Sequence, residues 1–584
     1  MSAERISIPS KNLAPFDKDF FRSGQKIACI GSGSIGGKAS GLAFIEETLA
    51  SHFNGHAFSE IKIGIPKMVV IATNYFDQFI IDNNLRETAF SDMSDDYILN
   101  MFLNGKLPSE LIENLRIIID STNVPLAIRS SSLLEDSMFE PFAGVYATKM
   151  IPNNQSNSDI RTEKLGEAIK FVYASSFFSN AKSYHRAIDR TTEEEKMAVI
   201  VQEIVGQNVD NLFYPHISGV ARSYNFYPSG AAQPEDGIVS LALGLGKTIV
   251  DGGIVWSYSP KFPRVNPPAS SPRELLKLSQ SDFWAVDMGN LPVSKSFGET
   301  EYLQQGTLSD AEQHGTLRYV ASTYRPHDDR IVLGTGPAGP RILTFAPILV
   351  ANQLPLNDLL NKLLKICEQA LKSNVEIEFA MTINSEGELS AQFGFLQVRQ
   401  MVVSDSIIDL QPEELQGDDV LAASDRSLGN GIIETIEDII YVDPDKFDAK
   451  NTKKIASELA DLNRYMLEQG NHYLLIGFGR WGSSDPWLGI PVSWGQISGA
   501  KALVEATLPG MDVELSQGAH FFHNMTSFQI YYFAIHYNGN YTIEWDWLKS
   551  QKIENNHQFV KHIHLSKPLT IKVDGRSRRG VILK

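Results

Sequence analysis

The sequence predicts an α+β fold for residues 1–405 and a smaller α/β domain at 425–584. Strand-like and helix-like segments alternate from the N-terminus to about residue 215, and short β-rich runs separated by Gly and Pro follow at 218–255. A strongly periodic helix and a strand pair close this first region. Because helices and strands are both frequent, we expect a fold that mixes the two.

The helix and strand pair at the end of the first region have clear periodicities. Apolar residues recur at three- and four-residue spacing over 356–372, which predicts a helix with one buried stripe. Strand-like runs at 375–383 and 389–401 flank a short polar turn and predict a hairpin. The following run is polar and acidic, so we predict a linker at 406–424.

One face of this hairpin carries a carboxylate, an amide and a guanidinium. Alternation puts Glu376 and Glu378 on one face of the first strand. It likewise puts Gln397 and Arg399 on one face of the second. If the turn centres near Gly387, Glu378 lies close to opposite Gln397. Such a cluster can hold magnesium through the carboxylate and a phosphate through the arginine, and a solvated sheet face with an ion pair is the alternative.

A glycine-rich turn joins a predicted strand at 26–30 to a predicted helix at 39–49. Glycines stand at positions 31, 33, 36 and 37, which permits a tight turn and a close approach of a ligand to bare backbone. Helix starts carry unsatisfied N–H groups and a partial positive charge that suit an anion. Lys38 adds a full positive charge, so the segment predicts a phosphate site.

Two known phosphate-binding motifs do not fit this turn. The dinucleotide fingerprint needs an acidic residue at the end of the next strand, which here ends in Thr73-Asn74. The P-loop needs Ser or Thr after its lysine, where this chain has Ala39. A turn that only joins a strand to a helix is therefore the alternative.

Composition limits the class of protein. The chain of 584 residues is 43% hydrophobic and 21% charged, as is usual for a globular protein, and its net charge of -17 argues against a broad nucleic-acid surface. The two cysteines, Cys29 and Cys367, exclude a disulfide scaffold and are predicted to be buried. Without a signal sequence or a long apolar run, we expect a cytoplasmic protein with no membrane or nucleic-acid partner. A homo-oligomer is left open.

Taken together and in order, several segments between about residues 25 and 405 resemble the ATP-binding domain of the phosphoenolpyruvate synthase and pyruvate phosphate dikinase family. No single segment decides the matter, but their order and spacing are specific. The segments are Gly36-Gly37-Lys38-Ala39-Ser40, Ile65-Pro66 with Thr73 and Phe76, Ala127 to Ser132 with Glu135-Asp136, Phe142-Ala143-Gly144, Met197 to Gln202, Gly219-Val220, Gly244-Leu245-Gly246, Glu376 to Ala380 and Phe395 to Arg399.

The resemblance implies an ATP-grasp fold of two or three lobes that clamp Mg-ATP. Lys38 and Arg129 match the family's phosphate-binding lysine and arginine, and Arg399 matches a second phosphate contact. Glu378 and Gln397 match the pair that faces Mg²⁺. The resemblance thus gives Lys38, Arg129 and Arg399 a catalytic role as well, because phosphoryl transfer depends mainly on positioning and charge neutralisation.

The resemblance also implies which residues surround the rest of the nucleotide. Gly144 and Thr148 belong to the small-residue loop that covers the phosphates. Gln202, Glu203 and Val205 lie in the segment beside the adenine.

The chain departs from the family in ways that bear on its activity. Lys247 follows the Gly-Leu-Gly segment where the family usually has glutamate. The domain at 425–584 is too short for the family's pyruvate-binding barrel of ~250 residues. We expect an ATP-dependent phosphotransferase whose acceptor is a histidine of its own C-terminal region, a histidine of a partner chain or a small molecule. A non-catalytic ATP-sensing regulatory or partner-binding protein is the alternative.

Two segments of the C-terminal domain stand out. The run 516–523 has a spacing similar to the family's phosphohistidine motif, with His523 in the acceptor position, although its neighbours differ. A packed, hydrogen-bonded histidine is the alternative. The run 477–491 combines glycines, Arg480, Asp485 and two tryptophans, which suggests a binding loop, and a structural loop is the alternative.

Overall fold

The computed structural model divides the described part of the chain into two compact units. It describes residues 13–52, 58–132, 145–187, 195–225, 232–251, 253–265, 271–277, 279–289, 297–385, 388–401, 408–483, 485, 487–511, 530–575 and 577–584. The first unit contains the described residues up to Met401 except 180–187. The second contains 180–187 and the described residues from 408 onward.

Helices and strands alternate through both units. The helices are α1 (Gly36–His52), α2 (Thr73–Asp82), α3 (Arg86–Phe90), α4 (Asp95–Asn104), α5 (Ser109–Ser121), α6 (Ser158–Ser175), α7 (Ser179–Ala187), α8 (Lys247–Val250), α9 (Pro272–Lys277), α10 (Leu308–Gln313), α11 (Ala346–Leu349), α12 (Leu356–Leu371), α13 (Thr452–Glu468) and α14 (Trp545–Ser550). Among the described residues, no helix combines the length and the apolar content that crossing a bilayer requires.

The strands of the first unit are β1 (Ile27–Ile30), β2 (Ile61–Gly64), β3 (Met68–Ile71), β4 (Leu126–Ser132), β5 (Thr148–Ile151), β6 (Met197–Glu203), β7 (Gln207–Val209), β8 (Leu212–Tyr214), β9 (Ile217–Arg222), β10 (Ile238–Ala242), β11 (Trp256–Tyr258), β12 (Asp282–Asp287), β13 (Leu303–Thr307), β14 (Ala321–Arg325), β15 (Arg330–Leu333), β16 (Arg341–Leu343), β17 (Val375–Asn384) and β18 (Ser390–Gln400).

The strands of the second unit are β19 (Val420–Ser424), β20 (Ser427–Leu428), β21 (Gly431–Val442), β22 (Tyr473–Phe478), β23 (Arg480–Trp481), β24 (Gly489–Ile490), β25 (Ala500–Ala506), β26 (Tyr531–Ile535), β27 (Ile553–Asn556), β28 (Val560–Asp574) and β29 (Arg579–Leu583).

Two sheets of the first unit carry most of the predicted site. One has the order β1-β3-β6-β4-β5, with β1 and β3 parallel and the other pairs antiparallel. The other has the order β11-β10-β9-β17-β18-β2. Smaller sheets, β13-β12-β8-β7 and β15-β14-β16, complete the unit. A large apolar cluster packs α1 and α12 against these strands, and both cysteines are buried as predicted.

The predicted helix and hairpin at the end of this unit are confirmed. α12 spans Leu356–Leu371, and its apolar stripe is buried. β17 and β18 pair antiparallel in a register that sets Glu378 opposite Gln397 and Glu376 opposite Arg399. A register shift follows Glu378, so the regular alternation of faces is interrupted directly after that residue.

The second unit is built on one large mixed sheet. Its order is β19-β29-β28-β21-β22-β25-β26-β20, with β27 paired to β28. The four neighbours β21, β22, β25 and β26 run parallel, and α13 connects the first two. This arrangement agrees with the predicted α/β character of the C-terminal region.

The prediction of a linker at 406–424 is wrong for most of its length. Strand β19 lies at one end of the second unit's sheet and pairs with β29. Leu410, Leu415 and Val420 are buried in a small cluster with Val581. Among the described residues, Glu413, Glu414, Asp418 and Asp419 are exposed and alternate with these buried apolar residues, so composition alone obscured the strand.

Candidate nucleotide site

The glycine turn before α1 is tight because the backbone of a neighbouring strand touches it. Gly36 has a φ of +77°, and a Cβ built on it would lie 1.8 Å from the carbonyl oxygen of Ser131. The Ser131 hydroxyl donates to Ile35 O at 2.8 Å and accepts from Ala39 N at 3.0 Å. The first turn of α1, which carries Lys38, is thereby attached to β4 two residues beyond Arg129.

Two backbone N–H groups of this turn already donate to side chains of the protein, which the sequence did not indicate. Ser32 N donates to Asn74 Oδ1 at 2.8 Å, and Ser34 N donates to Thr73 Oγ1 at 3.1 Å. In return, Asn74 N and Thr73 N donate to Ser32 O and Ser34 O. Thr73 and Asn74 stand where the dinucleotide motif requires an acidic residue. They hold the turn in place, and their side chains accept two of its backbone N–H groups.

Arg129 is the centre of the site. It projects from β4, and its side chain is 12% exposed. Its Nη1 donates to Leu396 O at 2.8 Å and to Gln202 Oε1 at 3.3 Å. Its Nη2 donates to Gln397 Oε1 at 2.9 Å and lies 3.5 Å from Glu378 Oε2. One guanidinium thus joins the sheet of β4 and β6 to the sheet of β17 and β18.

Glu378 and Gln397 provide a donor set that fits a hard cation. They face each other across β17 and β18, and oxygens of both converge on one cationic group of Arg129. Carboxylate and amide oxygens are the ligand types that suit Mg²⁺. Among the described residues, no three His, Cys, Asp or Glu side chains are grouped to hold a metal. Mg²⁺ at this pair would therefore need further oxygens from phosphates or water.

Arg399 takes part in a buried ion triad. Its Nε donates to Glu376 Oε1 at 2.6 Å, and its Nη2 donates to the same oxygen. Arg222, on β9, donates from Nε to Glu376 Oε2 at 2.5 Å. Glu376 is 1% exposed, so the solvated ion pair considered for this face is wrong. Sequence reasoning missed Arg222, which lies opposite Glu376 in register.

Comparisons with known proteins show the family to which this chain belongs. The model of the family described as "Pyruvate phosphate dikinase, AMP/ATP-binding domain" matches residues 32–416. The chain belongs to this family. It is also 28% identical over 269 residues to "Uncharacterized phosphotransferase YvkC" of Bacillus subtilis (strain 168). That alignment covers 46% of this chain and 27% of the relative, so the similarity spans only about a quarter of the relative's length.

As a member of the pyruvate phosphate dikinase AMP/ATP-binding family, the chain has further predicted nucleotide contacts near Arg129. Thr148 on β5 lies opposite Arg129 in register, and its N–H donates to Glu299 Oε1 at 2.7 Å. Gln202 on β6 accepts from Arg129 and is 2% exposed. Gln202 thus contacts the Arg129 guanidinium, and Thr148 lies beside Arg129 on the neighbouring strand.

The segment after Gln202 is held firmly by backbone contacts. Glu203 N donates to Lys67 O at 2.9 Å, and the Glu203 carboxylate accepts from Thr122 Oγ1 at 3.1 Å. Burial raises the pKa of Glu203, which the hydrogen bond from Thr122 and nearby lysines partly offset. Val205 is buried, and a Cβ on Gly394 would lie 2.4 Å from its Cγ2. The predicted adenine segment is therefore a rigid edge between the two sheets.

The remaining predicted residues differ in how far the structure describes them. Lys38 is 8% exposed in the first turn of α1. Lys247, the departure from the family pattern, begins α8, and its Nζ lies 3.0 Å from Asp251 Oδ2, so a local carboxylate balances its charge. Gly144 and His523 lie outside the described residues.

Proposed function

We propose that this protein is an ATP-dependent phosphotransferase that moves a phosphoryl group from Mg-ATP to a histidine or a small-molecule acceptor. The nucleotide would bind in an ATP-grasp cleft of the first unit. The observation that carries the proposal is the Arg129 guanidinium, which contacts Gln202, Gln397 and Glu378 from two different sheets. Arg129 and Gln202 lie far along the chain from Glu378 and Gln397, so the fold alone brings these side chains together.

The charges at this site suit a triphosphate. Phosphoryl transfer asks the protein mainly to position the phosphates and to neutralise their charge. We assign phosphate binding to Lys38 and Arg129. Glu378 and Gln397 would hold Mg²⁺, which when bound supplies further neutralising charge. The low exposure of Arg129 strengthens each of its contacts, because a partly dry site screens charge less than bulk water does.

Arg399 differs from Arg129 because it forms an ion pair with the buried Glu376. Its Nε and Nη2 donate to Glu376, so truncation of Arg399 would also remove an arginine that balances a buried carboxylate. We retain Arg399 as a proposed phosphate contact. An Arg399 variant, however, cannot separate loss of a phosphate contact from loss of the triad, and Arg129 is the better residue to test.

The nucleobase and the outer phosphates would contact two different segments of the first unit. We assign the adenine to the backbone of Gln202, Glu203 and Val205, and the phosphate cover to Gly144 and Thr148. The register of Thr148 opposite Arg129 supports the second assignment, since it sets the start of β5 beside the phosphate-binding arginine.

The test compares Arg129→Lys with the matched control Arg116→Lys in the full chain. Arg116 is a surface arginine on α5 whose side chain is 60% exposed. Lysine keeps the charge at Arg129 but cannot reproduce its forked contacts, so loss of one or two charge-assisted hydrogen bonds should weaken ATP binding by about 10- to 100-fold. Binding is measured by calorimetry with Mg-ATP, and turnover by release of labelled phosphate, ADP or AMP.

The outcomes separate the proposal from its alternative. Turnover that falls in Arg129→Lys and persists in Arg116→Lys supports the phosphotransferase. Wild-type protein that binds Mg-ATP but never consumes it, with any acceptor supplied, favours an ATP sensor instead. Unchanged ATP affinity in Arg129→Lys would refute the assignment of Arg129 to the nucleotide site.

A further inference from the structure

The second unit holds a buried carboxylate between two histidines. Asp438 on β21 lies opposite His564 on β28, and His562 lies two residues earlier on the same strand. Asp438 Oδ1 is 2.7 Å from His562 Nε2 and 3.0 Å from His564 Nδ1. Asp438 and His562 are both 3% exposed, whereas the side chain of His564 is 47% exposed.

Neighbouring amides fix the protonation of this cluster. Asn555 Nδ2 lies 3.0 Å from His562 Nδ1 and donates to it, so the neutral His562 ring carries its proton on Nε2, towards Asp438. Asn471 Nδ2 lies 3.4 Å from Asp438 Oδ2. Burial alone would raise the pKa of Asp438, but the hydrogen bonds from His562 and His564 hold it below its ordinary value. Asp438 is therefore ionised at neutral pH.

The ionised Asp438 sets the chemistry of His564. The carboxylate accepts the Nδ1–H of His564, so the lone pair of the neutral ring is on Nε2. A carboxylate on the opposite nitrogen fixes the tautomer and the orientation of an imidazole and stabilises the positive charge that the ring gains in a reaction. His562 differs because it is buried and both of its ring nitrogens are occupied. His564 is thus an exposed imidazole oriented as a nucleophile.

The negative charge of Glu554, which acts on His564, is balanced by a lysine. The Glu554 carboxylate pairs with Lys552 at 2.7 Å, and that pairing lowers the pKa of Glu554. The charge of Glu554 is therefore balanced locally. A covalent acceptor needs an accessible nucleophile rather than a pocket, and the exposure of His564 meets that need.

We propose that His564 is a phosphoryl-acceptor site and that Asp438 is its positioning residue. This inference rests on the proposed function, because ATP is the phosphoryl donor. The lone pair of His564 Nε2 forms a bond to the terminal phosphorus of ATP. The bond from that phosphorus to the bridging oxygen breaks, and its electron pair leaves with ADP. Nδ1 keeps its proton, and the carboxylate of Asp438 offsets the positive charge that the ring acquires.

The test labels the full chain with two phosphoryl donors in parallel. One is γ-labelled ATP with Mg²⁺. The other is potassium phosphoramidate, a small donor that phosphorylates nucleophilic imidazoles without a nucleotide site. We expect a base-stable, acid-labile label on His564 from both donors. It should be lost in His564→Ala and in His564→Gln, and kept in the matched control His557→Ala. Asp438→Asn should slow labelling of His564 by about tenfold or more.

The two donors distinguish failure of this inference from failure of the proposed function. If neither donor labels His564, the acceptor site is wrong. If phosphoramidate labels His564 and γ-labelled ATP labels nothing, the acceptor site stands and the transfer of the terminal phosphoryl group of ATP fails. ATP label on another residue, His523 included, would overturn the assignment to His564. Unchanged labelling in Asp438→Asn would overturn the positioning role of Asp438.

Discussion

Substitution of Gly36 tests how closely the glycine turn must approach β4. Gly36 has a φ of +77°, and a Cβ at this position would lie 1.8 Å from Ser131 O and 2.3 Å from Ser131 C. Both atoms belong to the backbone of a buried strand, so no rotation of a side chain relieves the overlap. Gly36→Ala should therefore shift the start of α1 away from β4.

The chain offers a control that isolates this overlap. Gly315 has a nearly equal φ of +73°, but nothing lies within 4 Å of a Cβ built on it. Gly315→Ala should lower the free energy of unfolding by about 1 kcal/mol, because alanine disfavours a left-handed backbone. Gly36→Ala carries the same conformational cost plus about 2 kcal/mol of overpacking. The expected total for Gly36→Ala is about 3 kcal/mol.

Both variants are unfolded in urea, and the transition is followed by amide exchange on peptides of the first unit. Both glycines lie in that unit, so the same transition reports the free energy of unfolding of each variant. The reasoning predicts a clearly larger loss of unfolding free energy for Gly36→Ala than for Gly315→Ala. Equal losses would show that β4 yields to the added methyl group. The structural account of this turn would then be wrong.

Two further predictions concern buried charge in the first unit. Glu376→Gln removes the buried carboxylate that Arg222 and Arg399 share and should lower the free energy of unfolding by about 3–5 kcal/mol. Arg116→Met, at an exposed ion pair, should lower it by less than about 1 kcal/mol, and similar losses in urea unfolding would refute this reasoning. Burial lowers the pKa of His216 to about 4, and its Nδ1 accepts from Ile383 N. The folded pKa is below the unfolded one, so stability is full above about pH 6.5 and falls towards pH 4 by about 3 kcal/mol. His216→Gln should flatten that slope, and an unchanged slope would contradict the assignment.

Alternation and turn position predicted the hairpin and the approximate pairing of Glu378 with Gln397. Side chains of a strand alternate strictly between two faces, and a short turn fixes which residues lie opposite each other. The register nearest the turn, with Phe379 opposite Phe395, would by itself set Glu378 opposite Leu396. The shift in register brings Gln397 opposite Glu378 and Arg399 opposite Glu376. The register shift after Glu378 leaves no signal in the sequence, because either neighbour could occupy the extra position.

The contacts of Arg129 could not be derived from local pattern. Its partners Gln202, Leu396 and Gln397 lie 73, 267 and 268 residues away along the chain. Only the family resemblance connected these positions before the fold was known. Arg222 had no such signal, since its pairing with Glu376 depends on β9 lying beside β17.

The paired hydrogen bonds around Thr73 and Asn74 make two helix starts mechanically interdependent. Each of these residues donates its N–H to the turn before α1 and accepts an N–H from that turn through its side chain. Neither the entry to α1 nor the entry to α2 can fray without breaking bonds that the other entry requires. The amide protons of Ser32, Ser34, Thr73 and Asn74 should consequently exchange with solvent as one cooperative group.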